Sequence, residues 1–233
     1  YTGHDREFWW DELERLLLLP DTLPDKLELN ISETIYKWDL TNAISGLHKK
    51  TEIDLKNWDV TKNTNPGPEY QAYRDLHRLM KPLSHEEQQR LLDEVALWAG
   101  LSREGRSTHM ALNYDQLKKL ERGKELIEVG AHTVNHPMLS AQSPEIQLKE
   151  IVENKKYLED ILGHKVNTFS YPFGGKPDFA DYTVSMLKEN GFDLACANYS
   201  GSVIKQTNSY KLPRCLVRNW DMNLFSRKIR KWF

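Results

Sequence analysis

The chain has 233 residues, and its 32 Lys and Arg nearly balance 34 Asp and Glu, so it is long enough for one sizeable core and lacks the basic footprint of a nucleic-acid binder. A neutral, sugar-like partner suits this balance better. The longest uninterrupted apolar run, Leu16 to Pro20, is far short of the roughly 20 residues that cross a bilayer, so no membrane span is expected.

Taken in chain order, Trp9, Leu13, Leu16 and Leu17 fall at i, i+4, i+7 and i+8, the stripe of an amphipathic helix, which Pro20 and Pro24 end. Leu27, Leu29 and Ile31 alternate with polar residues, and Ile35 to Trp38 follows the polar break Ser32-Glu33, which predicts a short hairpin. Asn63 to Pro68 reads as a loop, and a helix is expected from about Glu69 to Met80, before Pro82. Ser84 with Glu87 has the spacing of a capping box, opening a helix that Gly100 closes. Residues 6–101 therefore read as a mostly helical, Trp-rich insertion.

From about Asn113 the pattern becomes regular. The expected elements are a helix from Tyr114 to Arg122 stopped by Gly123, a strand from Leu126 to Gly130, and a helix from Ser143-Pro144 to Leu162 stopped by Gly163. There follow a strand from Val166 to Tyr171, a helix from Asp178 to Asn190, strands Phe192 to Ala197 and Leu212 to Val217, and a last helix from about Met222. Strands alternating with helices imply parallel crossovers, so residues 113–233 read as core βα units of an α/β sheet or barrel. Cys196 and Cys215 lie in apolar strand-like runs and read as small buried thiols rather than a disulfide.

Two stretches carry chemistry. His132-Thr133-Val134-Asn135-His136-Pro137 places two imidazoles four residues apart just past an expected strand end. A divalent ion needs neutral imidazoles aimed at one point, and in an α/β barrel the strand C-termini face the active site. Taken alone, the bland reading of solvated or hydrogen-bonded loop histidines competes with that one. Pro137, and the absence of a Glu after the first His, set the pair apart from a zinc-peptidase helix. The second stretch is Ser170-Tyr171-Pro172-Phe173-Gly174-Gly175, also at a strand end. Its glycines permit sharp turning, and Tyr171, Pro172 and Phe173 offer an apolar wall on which a sugar could rest; packing is the competing role.

Together these motifs resemble those of the polysaccharide deacetylase (NodB-like) family. The histidine stretch is similar to its His-(Ser/Thr)-x-x-His-Pro metal motif, and Ser170 to Gly174 resembles its third motif as found in exopolysaccharide-type members. Leu212 to Val217 resembles a late strand of that group, and Glu189-Asn190-Gly191-Phe192 its usual helix-to-strand link. The resemblance implies a distorted (β/α) barrel, incomplete at its N-terminus, with the helical region as an insertion. It also implies a hydrolase of carbon–nitrogen, non-peptide bonds that removes N-acetyl or O-acetyl groups from a polysaccharide or amino-sugar glycan.

By the same resemblance His132 and His136 are ligands of a divalent metal, with zinc expected. The Phe173 backbone N–H is the oxyanion donor, and Tyr171, Pro172 and Phe173 are substrate contacts. The family's third metal ligand and its general base come from a Thr-Phe-Asp-Asp-Gly motif that these residues lack. The sequence, opening on Tyr1-Thr2-Gly3, is therefore read as a fragment whose acids lie upstream of Tyr1 and which is inactive alone. Ser170 stands where the family's Arg orients the base, and Leu216-Val217-Arg218 lacks the late His acid. A carbohydrate-binding pseudoenzyme or scaffold domain is the alternative. Two geometric expectations follow: the two histidine rings converge, and the Pro172–Gly175 turn lies beside them at one end of parallel strands.

Overall fold

The computed structural model describes residues 1–3, 6–43, 58, 65–121 and 126–232. Part of the expected Asn63–Pro68 loop, and the helix stop at Gly123, lie outside the described residues. The backbone divides into two compact units, Tyr1–Asn113 and Tyr114–Phe233.

In the first unit, α1 (Trp9–Leu18) buries the predicted stripe: Trp9, Leu13, Leu16 and Leu17 are all almost wholly inaccessible. It packs on α2 (Pro68–Met80) and α3 (His85–Ala99). Pro68 opens α2, where the missing N–H costs nothing. Ser84 accepts from the Glu87 N–H at 3.3 Å, and Gly100 closes α3 in the left-handed region at φ 66°. The hairpin β1 (Lys26–Ile31) and β2 (Thr34–Asp39) pairs antiparallel from Lys26↔Asp39 to Ile31↔Thr34. Its two-residue turn has Ser32 at φ 50° and Glu33 at φ 66°, the positive pair that matches strand twist.

The second unit contains α4 (Tyr114–Glu121), a 3-10 turn at Leu139–Ala141, α5 (Pro144–Leu162), β3 (Thr168–Ser170), α6 (Asp181–Glu189), β4 (Leu194–Cys196) and α7 (Met222–Trp232). β3 and β4 pair in parallel, with Phe169 opposite Ala195. Parallel bridges extend the order on both sides, Ala131 to Phe169 and Cys196 to Leu212. The unit is therefore α/β, with parallel segments in the spatial order 131, β3, β4, 212. Its core gathers Ala131, Ile151, Leu158, Phe169, Tyr171, Leu187, Phe192 and Ala195.

The strands expected at Val166–Tyr171 and Phe192–Ala197 shorten to Thr168–Ser170 and Leu194–Cys196, and three further elements depart more from the sequence expectation. The strand expected at Leu126–Gly130 contracts to the bridge at Ala131, and Leu126 is 94% exposed. The strand expected at Leu212–Val217 contracts likewise to a bridge at Leu212, leaving Leu216 and Val217 more than half exposed. In both cases apolar content marked a strand that lacks a ladder along most of its length, and pairing rather than composition defines a strand. The helix expected from Asp178 starts at Asp181 because Asp178 is used in a turn, where its carboxylate accepts from the Gly175 N–H at 2.8 Å.

Candidate metal and substrate site

The site grows from the ends of two adjacent parallel segments. Gly130 permits their approach, since a Cβ there would stand 2.8 Å from the Thr168 hydroxyl and 3.3 Å from its carbonyl oxygen. The Ala131 N–H donates to the Thr168 carbonyl at 2.9 Å, and the Ser170 N–H donates back to Ala131 at 2.9 Å. One residue beyond Ala131 the chain leaves the sheet at His132. One residue beyond Ser170 it enters the Tyr171–Gly175 turn.

The two imidazoles meet: the rings of His132 and His136 are 4.7 Å apart, edge to face at 79°. His136 in turn meets the Phe173 ring at 4.7 Å and 81°. The sequence thus placed three residues from two separate loops correctly in one small region.

His132 is oriented by main chain. Its Nδ1 lies 2.6 Å from the Ser170 carbonyl oxygen. A carbonyl only accepts, so Nδ1 carries the proton and the Nε2 lone pair is left for a ligand. Burial, with the Arg214 charge added, holds this imidazole below its ordinary pKa, against the opposing pull of the Ser170 bond. The neutral form is the ligating form. Ser170 therefore meets His132 through its backbone carbonyl rather than its side chain.

The connecting loop is strained. Thr133 and His136 sit at φ 64° and 53°, in a region that a β-branched residue rarely enters and that costs of order 1–3 kcal/mol per residue. What offsets this comes from α5. Glu150 accepts from the Val134 N–H (2.9 Å), the Asn135 N–H (2.8 Å) and the Asn135 side-chain amide (2.7 Å). Hydrogen bonds to an ionised acceptor contribute about 1.5–3 kcal/mol each, enough for three to outweigh the strain. Asn154, one helical turn further, accepts from the His132 N–H at 2.9 Å, and the Thr133 hydroxyl accepts from the His136 N–H at 3.1 Å.

Sequence reasoning passed over Glu150 and Asn154. The signal was present: Gln147, Glu150 and Asn154 share the helical spacing of Ile151, Leu158 and Ile161, and all six are buried on α5. Polar residues within an apolar stripe need partners. Gln147 finds its own in the Gln142 carbonyl, Tyr182 and Thr183.

The second loop is also strained. Phe173 sits at φ 58° at the centre of a three-residue turn closed by the Gly174 N–H on the Pro172 carbonyl at 2.6 Å. Gly174 follows at φ 69°, and a Cβ there would stand 2.9 Å from the Asn198 nitrogen. Tyr171 lies in the core rather than on a surface a sugar could reach. It is 1% exposed, its ring stacks on Phe179 at 3.7 Å, and its hydroxyl donates to the Tyr210 carbonyl at 2.8 Å. Its proton is held far above the ordinary tyrosine range by that burial. Pro172 is buried too, and Phe173 alone of the three stays partly exposed.

Two half-buried imidazoles that face each other, one with its tautomer fixed, fit part of a divalent-ion site. Among the described residues no three His, Cys, Asp or Glu side chains gather as a ligand set.

Residues 106–195 match the family model described as polysaccharide deacetylase. Two Bacillus subtilis (strain 168) proteins, YxkH and YheN, both carry polysaccharide deacetylase in their names. YxkH is 24% identical over 106 residues, 46% of this chain and 36% of its own length. YheN is 36% identical over 70 residues, 30% of this chain and 25% of its own. The chain thus spans about a third or less of these relatives. Among solved structures it resembles a polysaccharide deacetylase from Bacillus cereus, at 22% identity and a TM-score of 0.45, covering 53% of this chain and 38% of that one. Another is the Streptococcus pyogenes deacetylase PplD in complex with acetate, at 27% identity and a TM-score of 0.35, covering 41% and 39%. The matched residues 106–195, which hold both histidines and the Phe173 turn, are thus similar to the polysaccharide deacetylase family.

Proposed function

We propose that this chain supplies part of the active site of a metal-dependent carbohydrate deacetylase, which hydrolyses N-acetyl or O-acetyl groups of a polysaccharide or amino-sugar glycan. The observation that carries the reading is the meeting of His132, His136 and Phe173 within 4.7 Å ring contacts inside the family-matched segment. The fold we assign to the intact protein is the family's distorted (β/α) barrel, with the parallel order 131, β3, β4, 212 as one arc of it.

His132 and His136 would hold the ion, zinc by preference, with an Asp from outside the pair as third ligand. A divalent ion bound there supplies Lewis acidity, polarising an acetyl carbonyl and acidifying water. His132 presents its Nε2 lone pair because Ser170 occupies Nδ1. The Phe173 backbone N–H is assigned to the developing oxyanion, where a fixed main-chain dipole needs no reorganisation during reaction. The Phe173 ring offers the accessible apolar surface for a sugar. Tyr171 supports that turn from beneath, through Phe179 and Tyr210.

The test is acetate release from N-acetylated amino-sugar oligomers by the full-length protein, with and without zinc, beside His132→Ala and His136→Ala. Zinc-dependent release lost in both variants supports the reading. Release indifferent to both substitutions overturns it, and glycan binding without any release identifies a pseudoenzyme.

A further inference from the structure

We propose that Glu150 and Asn154 of α5 are positioning residues that hold the strained His132–His136 loop in the one conformation where both imidazoles face each other; their functional weight rests on the metal reading above.

Local sequence does not favour this loop. Thr133 and His136 both take positive φ, so the segment between the histidines would relax if nothing held it. The Glu150 Oε2 accepts two consecutive main-chain N–H groups, those of Val134 and Asn135. Consecutive N–H groups around a left-handed residue form a concavity suited to an anion, and here the chain fills it with its own carboxylate. The Oε1 takes the Asn135 side chain. Asn154 fixes the other end of the loop at the His132 N–H. Glu150 and Asn154 are four positions apart, so both project from one face of a helix whose neighbours Ile151 and Leu158 anchor it in the core. The spacing of the imidazoles is thereby referred to a packed helix instead of a free loop.

The role is geometric, which makes a distinction between variants. In Glu150→Gln the remaining oxygen can serve Val134 and Asn135, while the new amide faces an Asn135 side chain turned end for end; the charge goes and the bonds stay. In Glu150→Ala all three bonds go. Asn154→Ala removes only the partner of the His132 N–H.

The experiment measures two things on the full chain and each variant, with thermal unfolding as the check on folding. The first is the nuclear Overhauser contact between the His132 and His136 rings in metal-free protein, at a pH where both are neutral. The second is zinc affinity by calorimetry. We expect Glu150→Ala to lose the ring contact and bind zinc about 10–100-fold more weakly, Asn154→Ala about 10-fold more weakly, and Glu150→Gln to keep the contact and stay within about threefold. A folded Glu150→Ala with contact and affinity unchanged overturns the proposal, as does Glu150→Gln losing as much as Glu150→Ala, which would make charge the agent. If Glu150→Ala does not fold, Asn154→Ala and Glu150→Gln decide by the same criteria. If the parent chain takes up no zinc, the metal reading fails separately, and the ring contact in metal-free protein still decides whether these residues position the pair.

Discussion

The Nδ1 proton of His132 is donated to the main-chain oxygen of Ser170, 2.6 Å away, so a backbone atom of one parallel segment sets the tautomer of an imidazole on the next. A side chain at residue 170 is not needed for this. Ser170→Ala should therefore leave zinc affinity within about twofold, whereas on the proposed metal reading His132→Ala should weaken it by more than about 100-fold, since it would remove a ligand rather than its support. Calorimetric titration of both variants checks the contrast.

Glu7 should contribute to the acid stability of the first unit. Burial raises its carboxyl pKa, but the Arg106 side-chain and backbone bonds, with the charges of Arg106 and Arg15, outweigh this and leave it below the ordinary value of 4.5. A carboxyl lowered on folding binds fewer protons in the folded state. Its contribution is therefore complete above the unfolded value and is lost as pH falls through the lower folded one. The urea midpoint should decline as pH falls below the ordinary value of 4.5, and Glu7→Gln should flatten that decline while costing about 3 kcal/mol at neutral pH.

Two left-handed glycines should respond differently to alanine. Gly163, at φ 74°, caps α5 with open space around it, and Gly163→Ala should cost about 1 kcal/mol from the backbone alone. At Gly174 the same strain is joined by a clash with the Asn198 nitrogen, which donates to the Gly174 carbonyl at 2.7 Å. Gly174→Ala should cost about 3 kcal/mol and shift the Phe173 resonances, read by denaturant unfolding and NMR.

Tyr171 and Phe173 should separate stability from ligand binding. Tyr171→Phe removes the hydroxyl bonded to Tyr210 and should lower stability by about 1 kcal/mol without changing saturation-transfer signals from an N-acetylated oligosaccharide. Phe173→Ala, at the partly exposed ring, should weaken those signals with less than about 1 kcal/mol of destabilisation. Signals lost in Tyr171→Phe and kept in Phe173→Ala would reverse the two assignments.

Much of the local structure was legible in the sequence because its causes are local. The stripe from Trp9 to Leu17, the caps at Ser84 and Ser143, the stops at Gly100 and Gly163, and the turn at Ser32-Glu33 each depend on residues within a few positions of one another. The meeting of the two histidines with the Phe173 turn was also legible. Parallel segments present their ends together, and each motif follows such an end.

Tertiary structure alone decided what depends on distant partners. Leu126–Gly130 and Leu212–Val217 have strand-like composition, but ladder partners set their length, and each reduces to a single bridge. The chemistry of Tyr171 suits a sugar platform or a core equally, and Phe179 stacked against it placed it in the core. Glu150 reads in sequence as one more polar residue on a charged helix. It acquires its role from loop N–H groups 15 and 16 positions away, brought to it by the fold. Periodicity reports which face of an element is buried, because burial repeats with the element's own geometry. It does not report what the buried face meets, because that is set by long-range packing.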